Sequence, residues 1–203
     1  MDRREAILQA AAELFAERGF HATTTSEVAR RAGVAEGTIF HHFQTKEGIL
    51  LYLFERIMED YARGLRSILQ GASSGLEALE GMIAFHFRFG RERSEELRVV
   101  MRDFPQNLMG GDSPYGEKVR GHISRILELT KECIQMGRRD GTLDAERPMD
   151  TAFLIRGLLV GLSRFMLLGP IDVPELSGAA MEFCRRALSS GKKGPGPHKG
   201  RAG

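Results

Sequence analysis

Apolar residues recur along this chain at helical spacing. Ile7, Ala11, Leu14 and Phe15 mark one face of a first helix, which Gly19 closes and on which Phe20 can pack back. Thr24 opens a second helix with a capping box: its hydroxyl accepts from the amide of Glu27, while the Glu27 carboxylate accepts from the amide of Thr24. Val28, Ala29 and Ala32 supply a narrow stripe that stops at Gly33, a residue free to turn left-handed. Val34 plugs the corner, and a third helix from Ala35 to Phe43 turns Ile39 and Phe43 towards a core. Thr45 is the N-cap of a long pattern that runs from Lys46 to Gln70 with no proline to stop it.

The break GASSG, Gly71 to Gly75, separates this pattern from the next. Leu76, Leu79, Ile83, His86 and Phe87 then form one stripe, and Met82, Phe85 and Phe89 a second, so this helix is apolar nearly all round and is predicted to be central. Leu97, Val100, Met101 and Phe104 mark a helix that Pro105 ends, followed by a glycine- and proline-containing loop. Further helices are predicted from Tyr115 to Arg138, from Met149 to Leu168 and from Pro174 to Ser189. No β-alternation or internal repeat stands out, so the fold class is all-α.

The polar positions of the third helix carry chemistry. Ile39 and Phe43 face inward, which leaves Glu36, Gly37, Thr38, His41 and His42 largely outside. A helix entering the major groove needs free amides at its start and little bulk at its front edge, and Gly37 and Thr38 meet that need. His41 and His42 can donate to phosphate or to a purine acceptor, and Lys46 would place an ammonium by the DNA backbone at the next helix start. Glycines and histidines also occupy solvated faces in any helical protein, so it is the ordered string that speaks. A metal site is not predicted, because adjacent histidines point about 100° apart on a helix.

The run TTSEVARRAGV, EGTIFHHF and TKEGIL, with the helix before it, resembles the N-terminal domain of the TetR family of bacterial transcriptional regulators over residues 5–52. The family often has Tyr where Phe40 stands, so a phosphate-contacting hydroxyl is missing here, and Ser where Ala35 stands, so the third helix lacks a side-chain cap. The candidate DNA-facing set is Thr24, Thr25, Glu36, Gly37, Thr38, Phe40, His41, His42 and Lys46. The resemblance implies a three-helix helix-turn-helix DNA-binding domain over residues 1–46 and a helical effector-binding and dimerisation domain over 47–190. The tail 191–203, rich in glycine, proline and positive charge, is predicted to be disordered.

Charge changes this picture in one respect. The chain of 203 residues carries 29 basic and 27 acidic side chains, a net charge of +2. Up to Lys46 six cations (Arg3, Arg4, Arg18, Arg30, Arg31, Lys46) meet six anions (Asp2, Glu5, Glu13, Glu17, Glu27, Glu36). No broad basic field draws in DNA, so binding must come from local placement and from two copies on an operator. The last two helices are the expected homodimer surface, through Leu158, Gly161, Leu162, Phe165, Met181, Phe183 and Leu188, in a four-helix interface that the resemblance implies.

The middle helices would then enclose a pocket, again as the resemblance implies, for a small apolar or amphipathic effector. Candidate lining residues are Phe85, His86, Phe89, Met101, Arg102, Phe104, Phe153, Arg156 and Met166. Arg156, inside an apolar helix, needs a carboxylate, a ligand acid or solvent. A dimer with no effector, whose C-terminal domain only dimerises or docks a protein, is the alternative. Nothing in the sequence forms a nucleophile elbow or phosphate loop, so neither an enzyme nor a cofactor is expected. Cys133 and Cys184 have no ligand or disulfide spacing, and the start MDRREAI is not a secretory signal, so the expected place is the bacterial cytoplasm, at the nucleoid when bound to DNA. Arg156 and Arg164 argue against a membrane span in the apolar stretch 151–169.

Overall fold

The structure is a computed structural model that describes residues 2–103, 115–169 and 176–189. Among the described residues the chain forms α1 (Arg3–Arg18), α2 (Thr25–Ala32), α3 (Glu36–Phe43), α4 (Lys46–Gly71), α5 (Gly75–Glu92), α6 (Ser94–Asp103), α7 (Gly116–Asp140), α8 (Pro148–Leu168) and α9 (Ser177–Leu188). The β-type contact described there is an isolated bridge between Leu143 and Ser189. The chain is all-α. Phe104, Pro105 and its loop, the start predicted at Pro174, and the tail lie outside the described residues.

Two cores form, and α4 belongs to both. The first gathers Ile7, Leu8, Leu14 and Phe15 of α1, then Phe20, Val28, Ile39 and Phe43, and continues into Ile49, Leu50 and Leu53 of α4. A boundary at Lys46 therefore marks the start of α4, whereas the first core runs on for about two further turns. Leu51, Phe54, Ile57, Tyr61 and Leu65 of the same helix enter the second core with α5, α7, α8 and α9. Each such side chain, fully buried, contributes about 1.5–3 kcal/mol. Val99 of α6 also reaches into the first core, and Tyr115 packs against both.

The helix read as central is central: α5 packs against α4, α6, α7, α8 and α9. It approaches α4 closely because Gly64 has no side chain. A Cβ there would lie 2.1 Å from Cζ of Phe85. The Asp140 carboxylate at the end of α7 accepts from the Gly75 amide at 2.7 Å, fixing the start of α5.

α8 has two apolar faces. With 21 residues and a mean hydropathy of 1.6 it is long and apolar enough to cross a membrane by length and composition alone. Its inner face buries Ala152, Ile155, Leu159 and Ser163. Both of its arginines reach neighbouring helices: Arg156 donates to the Tyr61 hydroxyl at 2.6 Å and Arg164 to the Met101 carbonyl at 3.1 Å. Cys133 and Cys184 are buried free thiols, and burial pushes Cys133 up to about 12.

Candidate functional site

The turn between α2 and α3 is built from local bonds. Thr24 accepts from the Glu27 amide at 3.2 Å while its own amide donates to the Glu27 carboxylate at 2.9 Å. That amide and the Thr24 hydroxyl, which also donates to the Glu27 carboxylate at 2.9 Å, hold the Glu27 carboxyl below its ordinary range. Gly33 adopts φ 67°, in the left-handed region, and the Val34 amide returns to the Ala29 carbonyl at 3.0 Å. α3 starts at Ala35 without a side-chain cap.

Glu36 compensates from inside the helix. Its carboxylate accepts from the Thr25 hydroxyl at 2.8 Å and from the Ser26 hydroxyl at 2.7 Å, which ties the starts of α2 and α3 together and lowers its pKa. Thr25 and Glu36 are thus partners of each other, and Ser26, absent from the expected set, completes the brace. Arg31 to Glu13 and Glu17, and Arg18 to Glu27, hold α2 against α1 at 3.1–3.3 Å.

The outward strip of α3 consists of Gly37, Phe40, His41 and His42, flanked by half-buried Thr38. A Cβ on Gly37 would meet nothing within 4 Å, so this part of the helix surface is open. The His41 and His42 rings stand edge to face at 5.1 Å. Phe40 is 51% exposed, so it is not a packing residue; it offers an apolar edge of the kind that meets a thymine methyl.

Lys46 differs most from its expected place at the DNA backbone. Its ammonium donates to the Phe20 and Thr23 carbonyls, both at 2.8 Å, and lies 4.4 Å from the Phe20 ring centroid. Two of its three protons hold the corner between α1 and α2 against α4, and the third is not taken up by these carbonyls.

In the second core a hydrogen-bond relay crosses three helices. Arg156 donates to the Tyr61 hydroxyl, Tyr61 donates to Nδ1 of His86 at 2.9 Å, and His86 Nε2–H points at the Leu159 carbonyl at 3.0 Å and the Ser163 hydroxyl at 2.8 Å. The direction follows from the ends, since a guanidinium can only donate and a carbonyl only accept. Burial, with the Arg156 charge, pushes His86 down to about 3, so it is neutral. Tyr61 and Ser163 were not among the expected residues; a lone serine in an apolar helix was the available signal for the latter.

The residues expected to line a pocket take different places in the fold. Phe85 and Phe89 pack with Tyr61 at ring distances of 5.2–5.4 Å and join α5 to α4. Phe153 is 57% exposed, because its position on α8 is opposite the buried stripe. Arg102 turns to α1 and donates to the Phe15 carbonyl at 2.5 Å. Met101 is half-buried, with its carbonyl taken by Arg164. A cavity of about 290 Å³ opens between α5, α6 and α8, lined by Phe87, Gly90, Arg91, Ser94, Arg98, Ser163, Met166 and Leu167. Met166 is the member of the expected set that lines it.

On the far side of α8 large apolar groups are uncovered. Phe153, Leu154 and Phe165 are 57%, 75% and 63% exposed, and Phe183 of α9 is 63% exposed. Gly157 and Gly161 leave open space beside them. Leu158, Leu162, Met181 and Leu188 are partly buried against the second core.

Comparison with known proteins agrees with this arrangement. Residues 7–53 match the family model described as bacterial regulatory proteins, tetR family. The chain is 32% identical over 151 residues to the transcriptional repressor KstR2 of Mycobacterium tuberculosis, covering 74% of each chain. It is 28% identical over 166 residues to the fatty acid metabolism regulator protein of Bacillus subtilis, covering 82% of this chain and 78% of that one. The structure of the transcriptional regulator FadR from Bacillus subtilis in complex with stearoyl-CoA superposes with a TM-score of 0.75 at 23% identity, over 89% of this chain and 96% of that one, and so shares the fold. The family match over the first core and the 32% identity to a repressor of which the chain covers 74% place the chain in the TetR family of bacterial transcriptional regulators.

Proposed function

We propose that this protein is a homodimeric repressor that binds a palindromic operator and leaves it when a small, largely apolar effector occupies the second unit. The observation that carries this reading is the uncovered apolar face of α8 and α9, with Phe153, Leu154, Phe165 and Phe183 outside on a single copy. Faces of this kind are covered by a partner, and here the partner is a second copy related by two-fold symmetry. Two α3 helices at about 34–36 Å would enter successive major grooves. Gly37, Thr38, Phe40, His41 and His42 form the reading strip, with Thr24 and the last proton of Lys46 towards phosphate; Thr25 and Glu36 keep the strip in shape. The protein acts in the cytoplasm.

The effector reading draws on relatives. A regulator of fatty acid metabolism and a structure holding stearoyl-CoA favour an apolar or amphipathic molecule. α4 is the first lever, since it shares both cores. To turn a mostly bound population into a mostly free one the effector must prefer one state by about 5.5 kcal/mol.

The test is anisotropy on DNA from the protein's own upstream region, with sedimentation of the free protein. A dimer that binds a symmetric site and releases it on addition of an effector is the expected result. A monomer at micromolar concentration, or indifference to that DNA, would count against the reading.

A further inference from the structure

The cavity between α5, α6 and α8 combines two chemistries. Phe87, Met166 and Leu167 form an apolar wall, while the guanidinium groups of Arg91 and Arg98 and the hydroxyls of Ser94 and Ser163 supply the polar lining. Neighbouring arginines are committed: Arg88 to Glu92, Arg93 to Asp60 and Glu96, Arg102 to the Phe15 carbonyl. Arg98 is exposed and has no ion-pair partner among the described residues. Arg91 is already engaged by an interaction of its own, so Arg98 is the guanidinium left unpaired beside the apolar wall; it suits an anion carried on an apolar body, and one such group with two hydroxyls matches a single negative charge. At about 290 Å³ the cavity is at the lower end of ligand-site volumes, which favours a compact molecule.

The helix that carries Arg98 also leads out of the cavity towards the reading unit. Val99, the next residue, is 2% exposed and sits in the first core. Arg102 holds the Phe15 carbonyl in the last turn of α1, the same carbonyl that accepts from the Gly19 amide at 2.9 Å. From the opposite side Arg164 of α8 holds the Met101 carbonyl. α6 is thus clamped between α1 and α8, with the cavity under its first half.

We propose that Arg98 is the anion anchor of this cavity for a small amphipathic carboxylate, and that α6 passes occupancy to the reading helices through Val99 and Arg102 against the end of α1. The inference rests on the ligand-responsive reading above and names its ligand class and its route.

The probes are decanoate and its uncharged match decan-1-ol, titrated into the full-length protein by calorimetry. Decanoate should bind more tightly by about tenfold, the worth of one charge-assisted contact, and Arg98→Gln should remove that preference while the alcohol still binds. Equal binding of the two by the wild type, or a preference that survives Arg98→Gln, overturns the anchor. For the route, saturating decanoate should weaken operator binding by the wild type and speed amide exchange in the last turn of α1. Arg102→Gln should keep decanoate binding and lose most of the operator response; should that variant not fold, wild-type exchange in α1 decides. A full response in Arg102→Gln, or unchanged α1 exchange in the wild type, overturns the route. A decanoate preference in a protein that binds no operator supports the anchor and refutes the repressor reading, so the two fail separately.

Discussion

The reading unit and the outer face of α8 and α9 use their side chains in opposite ways. Around α1 to α3 the apolar groups are enclosed, with Phe15 and Ile39 at 0% exposure, and the charges pair across helices through Arg18, Arg31 and Glu27. What remains outside is a narrow strip of glycine, phenylalanine and histidines. On α8 and α9 the large apolar groups are the ones outside. The first surface leaves few apolar groups to solvent; the second leaves several large ones there. Each surface ion pair contributes at most about 1 kcal/mol, so the pairs set the angle between α1 and α2 more than they hold the unit together.

The largest effects should separate these regions. Phe15→Ala should cost about 3–5 kcal/mol in chemical denaturation, because the first core cannot collapse around the lost ring. Phe165→Glu with Phe183→Glu should do the reverse: helicity by circular dichroism is retained, sedimentation shifts from dimer to monomer, and operator affinity falls by about a hundredfold or more. A double variant that remains dimeric would show that this face is not the interface.

His86 gives the next effect. Burial holds it down at about 3 against an ordinary 6.5. The unfolded chain takes up a proton as pH falls through the ordinary value, while the folded chain refuses it down to the lower one. Stability should therefore fall between those two values, by up to about 1.4 kcal/mol per pH unit. Denaturation midpoints across that window should show the slope, and His86→Gln should flatten it.

Smaller changes probe the reading strip. Thr38→Ala should weaken operator binding by about fivefold, one hydrogen bond to phosphate, and leave the melting temperature in place. Gly33→Ala should cost about 1 kcal/mol of stability, since its φ of 67° strains any residue with a Cβ although the space around it is open. If Gly33→Ala abolished DNA binding with no loss of stability, the turn would have a direct part in the contact.

Much of the reading unit is legible in the sequence. The capping box at Thr24, the turn at Gly33 and the inward pair Ile39 and Phe43 depend on residues at most five apart, and the backbone geometry of a helix settles such contacts. The brace from Thr25 and Ser26 to Glu36 was not legible, because it joins residues 10 and 11 apart across a turn. Lys46 was read by its charge and its place at a helix start, yet carbonyls 23 and 26 residues earlier hold its ammonium.

By itself the sequence determined the helices, their order, the family and the inward stripes of α1 to α3, since a period of 3.6 residues and its caps are local properties. Only the tertiary structure decided which neighbour each stripe meets. Phe153 and Leu159 are equally apolar letters on one helix, and packing buried the second and left the first outside. Arg102 and Arg156 are both candidate polar groups for a pocket by sequence, Arg156 the stronger, and the folded chain turns one to α1 and the other to Tyr61. Long-range contacts depend on how whole helices cross, and no short pattern encodes that.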